Sequence, residues 1–224
     1  MSNVNRPRRG LLDGLADIVT DFYGENAAAN ARLAKELSEG SAVPDVRGNA
    51  PVYAARPALP PFRDLWKTAD ESIDWTEALA SARPTDGLTP PEKWSLYHAQ
   101  AERVLRGDTE AYLTVLKAAN PMADLMPYVA SLDVATASAD ELRAVFTARA
   151  DLLETQPQHY LAGMALRIAR DLFAVLPVTS VTVVGQHEDA PQLTVRFDRS
   201  ELNKVRFAFI DPLAFVQACG GEFR

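Results

Sequence analysis

The sequence contains a single cysteine, Cys219. One cysteine excludes a disulfide within the chain, whereas small secreted domains usually depend on several. A lone thiol is typical of a reducing compartment, where it most often packs as a small apolar side chain. The cysteine content therefore favours a cytoplasmic protein and predicts that Cys219 is packed rather than reactive.

Long uninterrupted apolar runs are also missing. A membrane-spanning helix needs about 18 or more consecutive apolar residues, and no segment approaches that length. Three arginines near the start precede an apolar stretch, as they would in an export signal. Asp13, Asp17 and Asp21 interrupt that stretch, and an export signal needs an unbroken apolar region of about 7 to 15 residues. We therefore expect no export and no membrane contact.

Basic residues are outnumbered by acidic ones. The chain has 23 Lys and Arg against 30 Asp and Glu, which gives a formal charge of -7. Binding to nucleic acid depends on clustered Lys and Arg that neutralise phosphates. The charge therefore argues against nucleic acid as a partner.

Motifs for metals, nucleotides and covalent catalysis are absent from the sequence. His98, His159 and His187 lie far apart, whereas zinc ligands usually recur within a few residues. No GxGxxG or GxxxxGK[ST] loop is present to cradle a phosphate, and no serine lies in a GxSxG elbow. The sequence predicts no metal site and no cofactor.

The first 40 residues predict a helical arm. Apolar side chains in 11–22 recur at the spacing of an amphipathic helix, and 26–37 is an alanine-rich helical stretch. Residues 41–62 predict a linker, because its five prolines are incompatible with the interior of a helix or a sheet. We expect a protein partner or self-association through this arm, which docks either on its own domain or on another chain.

Residues 63–224 predict an α+β domain, whose helical part covers 63–128. Two tryptophans near its start are costly to leave in water and predict one or two short helices. Thr89 is placed to cap a helix whose first turn carries two prolines. Gly107 as a C-cap and Asp108 as the next N-cap then separate this helix from a second one. The pattern predicts an αα-hairpin.

Residues 129–224 predict a small antiparallel sheet packed against one long amphipathic helix. Alternating apolar residues in 142–150 favour a strand paired with 132–137. Ser138 and Glu141 are also compatible with a capping box that opens a helix. The remaining elements are the long helix, a meander of three strands and a final helical turn, predicted at 158–176, 180–184, 193–197, 205–210 and 213–219.

Several short runs stand out between residues 96 and 215. They are ALRIARDLFAVLP at 165–177, TVRFDR at 194–199, LN at 202–203, ID at 210–211, and AYL at 111–113 leading to NP at 120–121. Together they resemble the C-terminal region of a group of bacterial proteins that share a domain of unknown function. In that group the region often follows a small glycine-rich β domain, which this sequence lacks. The resemblance implies a shared fold and a cytoplasmic bacterial setting, and it supplies no activity, cofactor or catalytic residue.

The most distinctive cluster of polar residues lies on the predicted long helix. Two of its arginines and one aspartate share a helix face at i, i+3 and i+4, where a guanidinium pairs with a carboxylate or binds an anion. Charged residues at two predicted strand ends complete the candidate cluster. Either arginine–aspartate bridges pin the helix to the strand ends, which we favour, or the residues line a cleft. The cluster comprises Arg167, Arg170, Asp171, Asp198, Arg199 and Asp211.

Two functions of different classes follow. The first hypothesis is a non-enzymatic protein-interaction or regulatory module, in which the arm or the hairpin at 91–119 contacts a protein partner. The alternative is an enzyme acting on a phosphorylated or nucleic-acid substrate through this cluster, Arg199 excepted. An open pocket surrounded by these residues would favour the enzyme, and their burial as a satisfied ion-pair network would argue against it.

Overall fold

The computed structural model describes residues 62–84, 89–154 and 156–224. The helical arm predicted for residues 1–40 lies outside the described residues, as does the predicted linker up to residue 61. The helical part and the sheet of the predicted α+β domain lie within them, apart from two short gaps.

The helical part contains the predicted αα-hairpin, preceded by a short helix. Gly107, with a φ of 79°, ends the first helix of the hairpin in a conformation that glycine adopts readily. The Asp108 carboxylate then caps the second helix by accepting two backbone hydrogen bonds. In chain order the elements are a 3₁₀ segment Phe62–Lys67, helix α1 Trp75–Ala80, α2 Pro91–Leu105, α3 Thr109–Ala119 and a 3₁₀ segment Ala123–Tyr128.

The prediction that Thr89 caps α2 is wrong. The helix follows directly on Pro90, and no side chain caps its start. Pro91 occupies the first helical position, where its missing N–H costs nothing because that donor has no partner within a helix. The fixed φ of proline also suits the first turn of a helix.

Five strands form the sheet in the described part of the chain: β1 Val129–Thr136, β2 Glu141–Ala148, β3 Ser180–His187, β4 Ala190–Asp198 and β5 Glu222–Phe223. They lie side by side in that order. Strands β1 and β2 form an antiparallel hairpin, so the strand interpretation of 142–150 is confirmed over the capping box.

The sheet is mixed, so the prediction of a wholly antiparallel sheet is wrong. Strands β2 and β3 run parallel, whereas β3–β4 and β4–β5 are antiparallel. Between β2 and β3 the chain passes through helices α4, Ala150–Leu153, and α5, Pro157–Val175. Such a crossover returns the chain to the same end of the sheet, which makes the two strands parallel. The fold class is α+β.

The strand predicted at 205–210 is also wrong. Residues Phe207–Phe209 form a 3₁₀ turn, and Phe209, which the alternation places in the core, is 84% exposed. Helix α6, Arg199–Leu202, follows β4 directly and leads the chain away from the sheet edge. The short strand β5 takes the position beside β4, after helix α7, Pro212–Ala218.

Helix α5 is the centre of the domain and confirms the helix predicted at 158–176. It packs against β3 and β4 on one side and against α7 and the first 3₁₀ segment on others. Because neighbours surround it, almost all its side chains are buried. No helix in the described parts of the chain has the length and apolar character to cross a membrane.

Candidate functional site

The central polar feature of α5 is an ion pair between Arg167 and Asp171. The two residues lie one helical turn apart and are 3% and 0% exposed. The Arg167 Nε–H donates to both carboxylate oxygens of Asp171, at 2.9 and 2.7 Å. Spacing of i, i+4 brings the two side chains together on one helix face, as predicted.

The other donors of Arg167 reach residues far away in the sequence. Its Nη1 donates to the Thr68 hydroxyl at 2.6 Å and to the Leu65 carbonyl at 3.2 Å. Its Nη2 lies 3.0 Å from a carboxylate oxygen of Asp124. The guanidinium therefore joins α5 to the first 3₁₀ segment and to the 3₁₀ segment before β1.

Asp171 is desolvated by its surroundings. Burial raises the pKa of this carboxyl to about 7, although the Arg167 charge beside it and the hydrogen bond from Asp70 both act to lower the pKa. That hydrogen bond comes from the Asp70 backbone N–H at 2.9 Å. A buried pair of this kind contributes little net stability, but loss of one partner leaves the other uncompensated.

Arg170 fastens the same stretch of chain to α5. Its Nη1 donates to the carbonyls of Trp66 and Thr68, at 2.5 and 2.9 Å, and its guanidinium stacks 3.8 Å from the centre of the Phe207 ring. Farther along, the Ile73 N–H donates to the Ala174 carbonyl at 2.9 Å. The stretch from residue 65 to residue 74, called segment 65–74 from here on, is thus held against α5 along its length.

The remaining predicted cluster residues make their contacts elsewhere. Asp198 lies 3.9 Å from Arg196 on its own strand. Asp211 caps α7 and lies 3.3 Å from His159. Arg199 donates to the carbonyls of Val178 and Leu176, and its guanidinium lies 4.9 Å from the centre of the Phe173 ring. The structure therefore joins Arg167, Arg170 and Asp171 in one network and gives Asp198, Arg199 and Asp211 different partners.

The arrangement bears directly on the two predicted functions. Arg167 and Asp171 are buried, and their polar atoms bond protein groups. A substrate would have to displace segment 65–74 to reach either of them. The geometry is that of a network that positions segment 65–74, rather than that of an open catalytic centre.

Segment 65–74 and the start of α1 form one wall of a groove of about 750 Å³. The opposite wall consists of the beginning of α2 and the end of α3. Among the described residues, four carboxylates line the groove, from Asp70, Glu71, Asp74 and Glu77, against one ammonium from Lys93. This part of the lining therefore carries a net negative charge.

The groove also has aromatic lining residues. Trp94 and Tyr97 from α2 contribute to its surface, and Trp94 is fixed by a 2.9 Å hydrogen bond from its Nε1–H to the Ser81 carbonyl. Burial raises the pKa of the Asp70 carboxyl, and burial together with the Asp70 charge raises the pKa of Tyr97. Asp70 is thus partly desolvated where it meets the groove.

The groove and the network partners Thr68 and Asp124 were not predicted from the sequence. Four acids lie within the stretch 70–77, on both sides of Trp75, and this concentration of charge beside a buried aromatic was an available signal. Asp124 had no such signal, because it precedes β1 in a stretch without periodicity. No set of three or more His, Cys, Asp or Glu side chains that would hold a metal ion occurs in the described ranges.

Comparisons with protein-family models, with curated proteins and with solved structures find no match to this chain.

Proposed function

We propose that the protein is a non-enzymatic protein-interaction module, whose acidic groove receives a basic segment of a protein partner. The observation that carries the proposal is a concave surface of about 750 Å³ with four carboxylates and one lysine in its lining. Its second wall belongs to the helical hairpin at 91–119, which the sequence analysis names as a contact surface for a partner.

Charge complementarity favours a partner segment rich in Lys and Arg. The groove places several carboxylates around one concavity, where walls of low dielectric strengthen the field felt by an incoming cation. Trp94 and Tyr97 also line the groove, but they are only 5% and 7% exposed, so the carboxylates rather than the rings carry the attraction.

The groove is also preorganised for binding. The Arg167–Asp171 network and the Arg170 contacts fix segment 65–74 on α5, so the acidic wall keeps its place without a partner. A surface that is already ordered loses less conformational entropy on binding. This accounts for a costly buried ion pair in a domain that otherwise packs through apolar residues.

Two further expectations accompany this proposal. A cytoplasmic location follows from the single cysteine, and a bacterial setting follows from the resemblance of 165–177 and its companion runs. Self-association or partner binding by the arm at 1–40 stays a prediction that concerns residues outside the described part of the chain.

Binding of short homopeptides to the full chain tests the proposal. A labelled lysine peptide, an arginine peptide and a glutamate peptide of equal length are titrated by fluorescence anisotropy. We expect the two basic peptides to bind and the acidic one not to bind. Glu71→Gln combined with Glu77→Gln should weaken binding about tenfold, since exposed charges contribute up to about 1 kcal/mol each.

The matched control removes the same charge from another part of the surface. Glu154 and Glu188 are exposed, and neither of them lines the groove. Glu154→Gln combined with Glu188→Gln should leave peptide affinity within about twofold of wild type. Equal weakening in the two double variants would mean that the peptides sense only the net charge of the chain, and the groove would lose its assigned role.

A further inference from the structure

A second concavity, of about 270 Å³, lies on the other side of segment 65–74. It opens between that segment, helix α5 and helix α6. Its lining includes two arginines, two small polar residues and two phenylalanine rings: Arg170, Arg199, Ser72, Asn203, Phe173 and Phe207.

The two arginines reach this concavity from different elements. Arg170 and Phe173 are three residues apart on α5 and therefore share a helix face. The Arg199 guanidinium lies over the ring of Phe173, and the Arg170 guanidinium lies over the ring of Phe207. Stacking against rings orients each planar guanidinium and leaves its edges accessible to hydrogen-bond acceptors.

Neither arginine is neutralised by a carboxylate in the described ranges. Every ion pair found there joins other residues, and Asp171, the neighbour of Arg170, is already bound by Arg167. Burial lowers the pKa of both guanidinium groups, which shows that the two cations are partly desolvated. A partly desolvated charge without a counter-charge is costly, so an anion bound in this concavity would be stabilised.

Among the residues that the structure describes, both guanidinium groups retain donors without a partner. A guanidinium has five N–H groups. Arg170 donates to carbonyls through Nη1, which leaves its Nε–H and the two N–H groups of Nη2. Arg199 donates to carbonyls through Nε and Nη2, which leaves both N–H groups of Nη1 and one of Nη2. The hydrogen bonds to carbonyls thus position each side chain without using all of its N–H donors.

We infer that this concavity is a binding site for a phosphate-sized oxyanion, held by Arg170 and Arg199. The planar fork of arginine matches the oxygens of a phosphoryl group and binds them in pairs. The Ser72 hydroxyl and the Asn203 amide provide further donors at the wall. Pockets for drug-sized molecules begin at about 300 Å³, so the concavity suits a single phosphoryl group rather than a whole nucleotide.

Asp70 also lines this concavity. The charges that act on its pKa belong to Arg167, Asp124 and Lys93, so its charge is coupled to the network and to the acidic groove. Two arginines against one aspartate line the concavity among the described residues.

The test is calorimetric titration of the full chain with inorganic phosphate and, separately, with phenyl phosphate, each at constant ionic strength set by chloride. We expect saturable binding of one anion per chain. Asn203 is exposed, so Asn203→Asp places a negative charge at the wall without disturbing the core, and it should weaken binding at least tenfold. Gln217→Glu, an equal charge change at an exposed residue of α7, should leave the affinity within about twofold.

Results with the two anions identify the source of the ligand. Tighter binding of phenyl phosphate indicates a phosphoryl group on a larger molecule, and binding of phosphate alone indicates the free ion; both results support the site. Absence of saturable binding by either anion up to about 10 mM, a concentration at which a contact of even 3 kcal/mol would be detected, would overturn the inference. Unchanged affinity in Asn203→Asp would overturn it as well.

Discussion

Replacement of Arg167 by methionine tests whether the buried pair on α5 holds segment 65–74 in place. Methionine keeps an unbranched apolar stem and removes the guanidinium that bonds Asp171, Thr68 and Asp124. Asp171, 0% exposed, then retains the Asp70 backbone N–H as a partner. The variant therefore leaves a desolvated carboxylate without its cation.

The expected loss is about 3 to 5 kcal/mol of unfolding free energy, the usual cost of removing one partner from a buried pair. In a domain of this size 1 kcal/mol moves Tm by about 2 to 4 °C, so Tm should fall by roughly 10 °C. Replacement by lysine keeps the charge and loses the fork of donors, and its loss should be smaller.

The loss should also depend on pH. Burial raises the folded-state pKa of Asp171 above its unfolded value, so the stability from this group is present at low pH and lost as pH rises through the folded pKa. Arg167 lowers that pKa, so the methionine variant shifts it further upward. Each additional pKa unit costs about 1.4 kcal/mol once both states have titrated, and the deficit against wild type should grow from pH 5 to pH 8.

Urea unfolding of the full chain, followed by tryptophan fluorescence at pH 5 and pH 8, measures this deficit. The double variant Arg167→Met with Asp171→Leu removes the stranded carboxylate, so it should recover most of the loss and show no growing deficit. A loss of less than about 1 kcal/mol at pH 8, far below the value for a buried pair, would refute the reasoning. So would equal losses at the two pH values.

Two further perturbations examine backbone geometry and burial. Gly107 and Gly220 both have a φ of 79°, but a Cβ at Gly107 would lie 2.7 Å from the Ala139 Cβ, whereas a Cβ at Gly220 would meet nothing within 4 Å. In urea unfolding, Gly107→Ala should therefore lose about 1 to 3 kcal/mol more stability than Gly220→Ala. Equal losses in the two variants would contradict the clash. Burial raises the pKa of Tyr160 to about 12, so wild type should lose about 1 kcal/mol more than Tyr160→Phe between pH 9 and pH 11, because the unfolded tyrosine ionises first. Parallel urea titrations of wild type and Tyr160→Phe would disprove this assignment if their stabilities fell equally.

Helix α5 and the hairpin were predictable because their signals are local. An apolar stripe repeated through 158–176 leaves little choice but a long buried helix. Gly107 and Asp108 mark the hairpin break through backbone conformation and capping, which depend on neighbouring residues alone. The alternation in 142–150 similarly outweighed a capping box whose support was two residues.

Local signals of this kind could predict neither the direction of the strands nor which segment pairs with β4. Alternation at 205–210 describes which side chains are apolar, but it does not say whether a neighbouring strand is available to pair with them. The four residues of α6 divert the chain before that pairing forms, and Phe207 instead stacks on Arg170. The parallel pair β2–β3 depends on where the crossover through α5 returns, which is a tertiary choice.

The site was predictable in part for the same reason. The i, i+4 spacing identifies Arg167 with Asp171 as a pair, since both lie on one helix. Thr68 and Asp124 come from distant elements and are unremarkable within their own segments. A groove formed by the ends of three elements, and a concavity between α5 and α6, exist only once the chain has folded.

The fastening of segment 65–74 to α5 also sets an order of events during protein synthesis. The hydrogen bond from Asp70 to Asp171 spans 101 positions, and that from the Trp75 indole to the Val175 carbonyl spans 100. The ribosome must therefore synthesise the whole of α5 before segment 65–74, the acidic wall of the groove, can pack against it. A partner that recognises the groove would therefore not bind shorter nascent chains and would bind only chains that have been synthesised past residue 175.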